Sequence, residues 1–160
     1  MELANINSSL GIIDGFTELL GSEAPSRAKR VLNEGDVIVS SIEGSLEKVA
    51  LVQKDQEDYL ASTGFFQFRS KKILPEVLLV LSKSIVLQMQ LQKQTAGTIL
   101  SAVPKNSIQK IIIPLLSQSI EQKIASLVKK SHEARKKSKE LLELAKRKVE
   151  ERIEAEKPSS

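Results

Sequence analysis

The spacing of hydrophobic positions predicts strands in the first part of the chain and helices in the rest. Alternating β-branched residues predict a strand in DVIVSSI, at 36–42, and the run KVALV, at 48–52, predicts a second one. Gly44 and Ser45 lie between them as turn residues, so the two strands are expected to form a hairpin. The stretch LASTGFFQFR, at 60–69, predicts a third strand that carries three phenylalanines.

Helical spacing begins at Pro75, a residue that suits the first position of a helix. The following residues predict a helix to about residue 93 with apolar residues on most faces, and therefore a largely buried one. A further strand is predicted in the isoleucine triplet 111–113, ended by Pro114, which lacks the amide that a ladder needs. Ser119 and Gln122 have the spacing of a capping box and predict the start of another helix.

This last helix is long, because neither Gly nor Pro occurs between Ser119 and Pro158. At 1.5 Å per residue it would extend for roughly 55 to 60 Å. Apolar and small residues recur along it every three or four positions and favour close antiparallel pairing with another helix over a single solvated helix, the alternative. These residues, called the helix seam below, are Ile120, Ile124, Leu127, Ala134, Leu141, Leu142, Ala145 and Val149.

The predicted fold class is therefore α+β. A mixed, strand-rich domain spans residues 1–116, one long helix spans 117–157, and residues 158–160 form a tail.

Composition narrows the class of protein. Hydrophobic residues make up 41% of the chain, enough for a core, which argues against wholesale disorder. Aromatic residues make up only 3%, so a base-stacking surface for single strands is not expected. The chain has no cysteine and one histidine, so we expect neither a metal site nor a cofactor. No apolar run reaches the roughly 18 residues of a membrane span, and the N-terminus is unlike a signal peptide, so a cytoplasmic protein without a membrane partner is expected.

Charge is distributed unevenly. Residues 1–104 carry 10 Lys and Arg against 12 Asp and Glu, whereas residues 105–160 carry 14 against 8. The net charge of +4 therefore arises in the C-terminal third. This excess favours an anionic partner, although a long solvated helix has the same bias.

The order of these segments resembles the specificity subunit of type I restriction–modification systems. The resemblance covers about residues 1–155 and depends on the ordered set rather than on any single piece. The set comprises PSRAKRVLNEGDVIVSSI, KVALV, LASTGFFQFR, PEVLLVLSKS and AGTILSAVPKNSIQKIIIPLLSQSIEQKIASLV, followed by the long charged helix. Together they resemble one target recognition domain and one conserved spacer helix.

The resemblance implies a function. Specificity subunits of this family carry two recognition domains that each read half of a bipartite double-stranded DNA site. Two antiparallel helices separate these domains and dock the methyltransferase subunits, through which the restriction subunit acts. This chain resembles one half, with an N-terminally incomplete recognition domain. A second copy is then the simplest partner, giving a homodimer with antiparallel C-terminal helices and a symmetric site.

The expected DNA contacts come from basic and hydroxyl residues near the predicted strands. PSRAKR, at 25–30, is expected to be a loop, and arginine suits guanine and phosphate recognition. RSKK, at 69–72, is a second basic loop, and TAGT, at 95–98, is a hydroxyl-rich one. In each case an ordinary solvated loop is the alternative. The candidate residues are Ser26, Arg27, Lys29, Arg30, Ser41, Arg69, Lys71, Lys72 and Thr98.

Catalytic motifs are not found in the sequence. The chain has no Pro-Pro pair, so it lacks the Asn/Asp-Pro-Pro-aromatic motif of adenine methyltransferases, and it has no P-loop. We therefore expect a non-catalytic recognition component whose partners supply catalysis. Two alternatives stay open: a structural adaptor that oligomerises through its long helix without binding DNA, and a fragment of a fused restriction–methylation enzyme.

Overall fold

The computed structural model describes residues 1–96 and 101–155. The chain consists of two compact units, with the boundary after Ala125. We call Met1–Ala125 the head and Ser126–Ala155 the outer helix. The strands are β1 (Ile6–Asn7), β2 (Ile12–Ile13), β3 (Ala28–Val31), β4 (Val37–Ser40), β5 (Val49–Leu51), β6 (Leu60–Ser62) and β7 (Phe65–Phe68). The α-helices are α1 (Pro75–Lys83), α2 (Ile85–Gln94) and α3 (Gln118–Ala155), and short 3₁₀ turns occur at Leu3–Asn5, Gly21–Glu23, Lys54–Gln56 and Lys105–Lys110.

The predicted α+β class is confirmed, with a strand-rich N-terminal part and one long C-terminal helix. A three-stranded antiparallel sheet of order β5-β4-β7 lies at the centre of the head. All four residues of β4 are buried, as expected for a central strand packed on both faces. The predicted hairpin is also confirmed, because Val37 pairs with Leu51 and Val39 with Val49.

The prediction of one strand over residues 60–69 is wrong. Two strands occur there, and they belong to different sheets: β6 pairs with β3, and β7 pairs with β4. The intervening turn is fixed by three bonds that a sequence pattern does not show. The Thr63 amide donates to the Arg27 carbonyl at 2.8 Å, the Ser41 amide to the Gly64 carbonyl at 2.9 Å, and the Gly64 amide to Ser62 Oγ at 3.2 Å.

The predicted helix from Pro75 to about residue 93 is two helices. Pro75 does occupy the first turn of α1, but Ser84 has an extended backbone and separates α1 from α2. Its Oγ accepts from the Leu87 amide at 3.3 Å and so caps α2. The expected burial is found for α1, where Val77, Leu78 and Leu79 are buried. It is wrong for α2, which exposes Ile85, Val86 and Met89.

The isoleucine triplet 111–113 is not part of any sheet, contrary to the prediction. Ile111 and Ile113 are half-buried and Ile112 is exposed, so the alternation of an extended chain is present without a ladder. The Gln90 side chain takes the place of a strand partner. Its Nε2 donates to the Ile112 carbonyl at 2.9 Å, and its Oε1 accepts from the Ile112 amide at 2.8 Å.

Helix α3 begins one residue later than the predicted start at 117. Gln118 is its first residue, so Ser119 lies inside the helix and does not form the predicted capping box with Gln122. The Ser117 carbonyl accepts from the amides of Ile120 and Glu121, each at 3.0 Å. The helix has 38 residues and a length of about 57 Å. Its predicted last residue, 157, lies outside the described residues.

The hydrophobic core joins the two larger sheets and the short β1–β2 pair. Its buried residues are Ile6, Ile13, Leu32, Ile38, Ala50, Val52, Ala61 and Phe65. Strands β3 and β6 are thereby held against the central sheet, which fixes the position of the basic residues that β3 carries.

Candidate nucleic-acid interface

The first predicted basic segment is mostly a strand. Ser26 and Arg27 form a turn in which the Ala28 amide donates to the Pro25 carbonyl at 2.8 Å. The chain then enters β3, so the prediction that Lys29 and Arg30 lie on a loop is wrong. Pairing with β6 explains the difference, because this partner is 30 residues away and the local sequence does not indicate it.

Strand β3 presents its basic residues on different sides. Lys29 is exposed, whereas Arg30 is half-buried. A bulge lies between Ala28 and Arg30: Ala28 pairs with Ser62 and Arg30 with Ala61, which leaves Lys29 as the extra residue. Arg30 Nε is buried and makes no hydrogen bond within the described part of the chain. The bulge therefore helps to set the direction of the Arg30 side chain.

Arg27 already holds an acidic partner. Its Nε donates to Glu2 Oε1 at 3.2 Å, and its Nη2 lies 3.1 Å from Glu2 Oε2. The Arg27 side chain is nevertheless 63% exposed. An exposed ion pair of this kind is weak, so a phosphate group can compete with the Glu2 carboxylate.

The second basic segment is a well-fixed turn. Arg69 donates from Nε to Asp36 Oδ1 at 2.6 Å and from Nη2 to Asp36 Oδ2 at 3.0 Å. Ser70 Oγ accepts from the amides of Lys72 and Ile73 at 3.1 and 3.0 Å. Lys71 and Lys72 are exposed. Their ammonium groups are therefore carried on a backbone that is held in one conformation.

Asp36 organises this region from a fully buried position. It also accepts from the Asn33 amide at 2.8 Å and from Gln67 Nε2 at 2.6 Å. Burial alone raises the pKa of Asp36, but the bonds from Arg69, Gln67 and Asn33 outweigh it and lower the pKa below the ordinary 3.8. The carboxylate is therefore charged at neutral pH and holds Arg69 as a cation.

Gln67 joins the two basic segments. Its Nε2 donates both to Asp36 and to the Val31 carbonyl at 2.8 Å, so the end of β3 and the Arg69 turn share one hydrogen-bond network. Sequence reasoning missed Gln67 and interpreted Asp36 only as the first residue of the predicted strand 36–42. Asp36 stands at the start of a strand and two residues after Glu34, a pattern that shows no cationic partner 33 residues away.

The other two candidates do not join this network. Ser41 is buried, and its Oγ donates to the Gly64 carbonyl at 2.9 Å. Its hydroxyl therefore stabilises the turn between β6 and β7. Thr98 lies outside the described residues.

Along α3, most of the helix seam is exposed. Ile124 is half-buried within the head, and Leu127, in the outer helix, is 68% exposed. The other exposed members are Ile120, Ala134, Leu141, Leu142, Ala145 and Val149. An apolar stripe of this kind on a helix is typical of a surface that packs against another helix.

The described residues contain neither a metal-binding cluster nor a helix that could span a membrane. No group of His, Cys, Asp and Glu in residues 1–96 and 101–155 is arranged to hold a metal ion. Within those same residues, no helix combines the length and hydropathy that crossing a membrane requires. The two basic segments of the head carry guanidinium and ammonium donors, the groups that recognise phosphates and guanine edges.

Comparison with known proteins gives a result for structures only. No protein-family model matches the chain, and no curated protein matches it. The crystal structure of the HsdS subunit from Thermoanaerobacter tengcongensis matches with a TM-score of 0.71 and 29% identity. That match covers 99% of this chain and 43% of the HsdS chain.

A second match comes from a structure concerned with complex assembly and conformational transition of the type I restriction–modification system. It has a TM-score of 0.68 and 31% identity, and covers 94% of this chain and 38% of the other. This chain therefore spans less than half the length of either neighbour. The resemblance found in the sequence is confirmed: the structural neighbours of this chain are HsdS specificity subunits of type I restriction–modification systems, matched over nearly its whole length.

Proposed function

We propose that the chain is a DNA-recognition half of a type I specificity subunit, which selects the site for partner methyltransferase and restriction subunits. The observation that carries this proposal is the match to HsdS over 94–99% of the chain at 29–31% identity. In this proposal residues 1–116 form the target recognition domain and residues 117–157 the spacer helix. Partners supply all catalysis, and the complex acts on cytoplasmic DNA.

The proposed DNA contacts are the two basic segments of the head. Lys29 and Lys71 are exposed cations suited to phosphate contact, and Ser26 adds a hydroxyl donor. Arg30, half-buried on β3, is the candidate for base recognition because a guanidinium group suits guanine edges. Ser41 is no longer included, because its hydroxyl is bonded to the Gly64 carbonyl.

Arg69 has a mixed role in this proposal. Two of its three guanidinium nitrogens bind Asp36, yet its side chain is 57% exposed. The bidentate bond fixes the plane of the guanidinium, which limits what it can contact but lowers the entropy lost on binding. We therefore place Arg69, Lys71 and Lys72 along the phosphate backbone and not at a base edge.

We further propose that two copies pair through antiparallel α3 helices. The helix seam supports this, since exposed Leu127 and Leu141 lie on either side of a middle part that carries Ala134 and small serines. Small residues let two helix backbones approach closely, and flanking leucines supply apolar area. A twofold pair would present two recognition domains and read a symmetric, interrupted DNA site. Methyltransferase subunits are proposed to dock on this helix pair.

DNA binding is tested by fluorescence anisotropy with duplexes selected by this chain from a randomised pool. Neutralising a phosphate contact, as in Lys29→Gln, should weaken binding to all duplexes and lower the log–log salt slope by about 0.9. Replacing a base contact, as in Arg30→Gln, should cost about 1–3 kcal/mol and relax sequence preference. Unchanged affinity in Arg27→Gln and in Arg30→Gln would remove both residues from the proposed interface.

The matched control is Lys54→Gln, also in the head. Lys54 Nζ lies 3.5 Å from Glu34 Oε2 and 3.6 Å from Glu57 Oε2, so the charge of Lys54 is locally compensated. Lys54 is also not part of either basic segment. It should change neither affinity nor sequence preference. A loss equal to that of Lys29→Gln would mean that only overall charge matters.

The structural adaptor is kept as a second candidate because the helix seam is exposed independently of any DNA-binding residue. Light scattering on the full chain and on Leu127→Glu/Leu141→Glu measures pairing. A dimer that becomes a monomer in the double variant supports helix pairing. If the unaltered chain forms a dimer but selects no duplex from the randomised pool, its function is that of a structural adaptor and not of a recognition subunit.

A further inference from the structure

A cavity of about 300 Å³ lies within the head. Its wall is formed by the end of β7, by α1 and α2, and by residues 108–113. Leu78, Leu87 and Leu91 make its inner part and are almost fully buried, and Ile111 and Ile113 line the other side. The cavity is therefore mainly apolar, although Arg69 and Ser70 of the second basic segment also lie in its wall.

One buried polar group interrupts this apolar wall. Ser82, on α1, lines the cavity and is 1% exposed, and its Oγ has no hydrogen-bond partner among the described residues. The hydroxyl of a serine within a helix can point to solvent or bond back to a carbonyl of the preceding turn, and Ser82 Oγ does neither. Buried hydroxyls without a partner are uncommon in native proteins and call for a specific explanation.

The other polar side chains of the wall are largely engaged. Arg69 uses two of its three guanidinium nitrogens to bind Asp36, and Ser70 Oγ accepts from two backbone amides. A water molecule bound beside Ser82 would thus find few side-chain partners, whereas buried waters generally need two to four partners. The site suits a molecule that fills apolar space and offers one hydrogen-bonding atom.

We propose that the cavity binds a small uncharged molecule with an apolar ring or branched body and one hydroxyl or carbonyl group, which bonds to Ser82 Oγ. The volume supports one ring with few additional atoms, since a cavity of about 150 Å³ already accommodates benzene. An apolar lining with one well-placed polar group is also the usual composition of small-molecule sites. This proposal does not depend on DNA binding or on helix pairing.

Such a ligand would also contact the segment that leads to α3. Ile111 and Ile113 flank Ile112, whose backbone is held by Gln90. A bound molecule would therefore add apolar contacts on both sides of this hydrogen-bonded residue and stabilise the head.

The test is an NMR titration of the full chain, with labelled Leu and Ile methyl groups, using phenol and its hydroxyl-free counterpart toluene. Phenol should produce saturable shifts confined to the Leu and Ile methyl groups of the cavity wall, which belong to Ile73, Leu78, Leu87, Leu91, Ile108, Ile111 and Ile113. Ser82→Ala should weaken phenol binding about three- to tenfold and leave toluene binding unchanged or slightly stronger. The control Ser62→Ala alters a buried serine outside the cavity wall and should change neither affinity.

Shifts that do not saturate, or that spread over the surface, would overturn the site. Equal phenol affinity in Ser82→Ala and in the unaltered chain would overturn the assigned hydrogen bond and with it the ligand class. Intermolecular NOEs from phenol to Leu87 and Leu91 in the unaltered chain give a test that needs no variant to fold. Their absence at saturating phenol rejects the proposal.

Discussion

The head and the outer helix differ in where their apolar side chains lie. In the head, Leu32, Ile38 and Phe65 have no measurable exposure, whereas no residue from Ser126 to Ala155 is buried. The head is thus stabilised by burial between segments distant in sequence. The stability of the outer helix depends on local interactions. It is rich in strong helix formers, has no Gly or Pro, and contains ion pairs such as Lys146 Nζ with Glu143 Oε1 at 2.7 Å.

This difference has a consequence for function. A helix of 38 residues that leaves its leucines exposed has a long apolar stripe available for a partner. The head buries its core residues, exposes apolar side chains such as Ile85 and Val86 on α2, and offers a partner charge, carried on β3 and on the turn after β7. The two regions should therefore respond differently to equivalent substitutions.

The largest contrast is expected for the same leucine truncation made in both regions. Leu32→Ala should lower the free energy of unfolding by about 2–5 kcal/mol, because it opens a cavity in the core. Leu141→Ala should change it by no more than about 0.5 kcal/mol in the monomer, since Leu141 is 55% exposed and Ala favours helix. Urea denaturation at low protein concentration measures both. Comparable losses would show that Leu141 is packed in the monomer.

A smaller contrast is expected for removing one negative charge. Asp36→Asn replaces an acceptor-only carboxylate by an amide whose NH₂ must face Arg69 or Gln67, both donors. The loss should be roughly 1–3 kcal/mol, limited by the exposure of Arg69. Glu143→Gln, in an exposed pair of the outer helix, should leave the urea midpoint almost unchanged. Equal midpoint shifts would contradict a structural role for the Asp36 network.

Lowering the pH should gradually remove the contribution of the Asp36 carboxylate to the free energy of unfolding. Since the pKa of Asp36 is lower in the folded chain than its ordinary 3.8, the carboxylate stabilises the fold above that pH. The stabilisation should be lost as pH falls from about 4 through the lowered pKa. Urea midpoints of the unaltered chain and Asp36→Asn should therefore converge below pH 4. A constant difference down to pH 2 would show that the carboxylate charge does not contribute.

The contrast between regions also explains which sequence predictions succeeded. Helix α3 was predicted within one residue at its start, because its signals are local. In the head, local signals predicted the 36–52 hairpin, but the strand at 60–69 is divided between two sheets by bonds from Arg27 and Ser41. Such long-range partners are not contained in a hydrophobic pattern.

The candidate interface shows the same limit. The basic residues were visible in the sequence, but the bulge that places Arg30 depends on β6, and the orientation of Arg69 depends on Asp36. Ser41 illustrates the reverse case, since a hydroxyl suited to DNA is bonded to the Gly64 carbonyl of a turn. Residue type was therefore predictable, whereas position and availability were not.

The smallest predicted effect concerns residues 111–113, at the border between the sheets of the head and α3. Gln90→Ala removes both bonds to the Ile112 backbone and should cost about 1 kcal/mol. It should also release the Ile112 amide, whose bond to Gln90 Oε1 protects it from exchange. Hydrogen exchange at Ile112 measures this release directly, so a small change in global stability does not obscure it.

Gln92→Ala is the matched control, because Gln92 lies on the same helix and its Nε2 donates to Glu43 Oε1 at 2.7 Å. It should leave Ile112 exchange unchanged. If Gln90→Ala also leaves it unchanged, the amide of Ile112 is not held by this side chain. The stable hydrogen bonding of the head would then stop before residues 111–113. Faster exchange of the Ile112 amide in Gln90→Ala but not in Gln92→Ala would show that the Gln90 side chain holds residues 111–113 to the head, as a partner strand would.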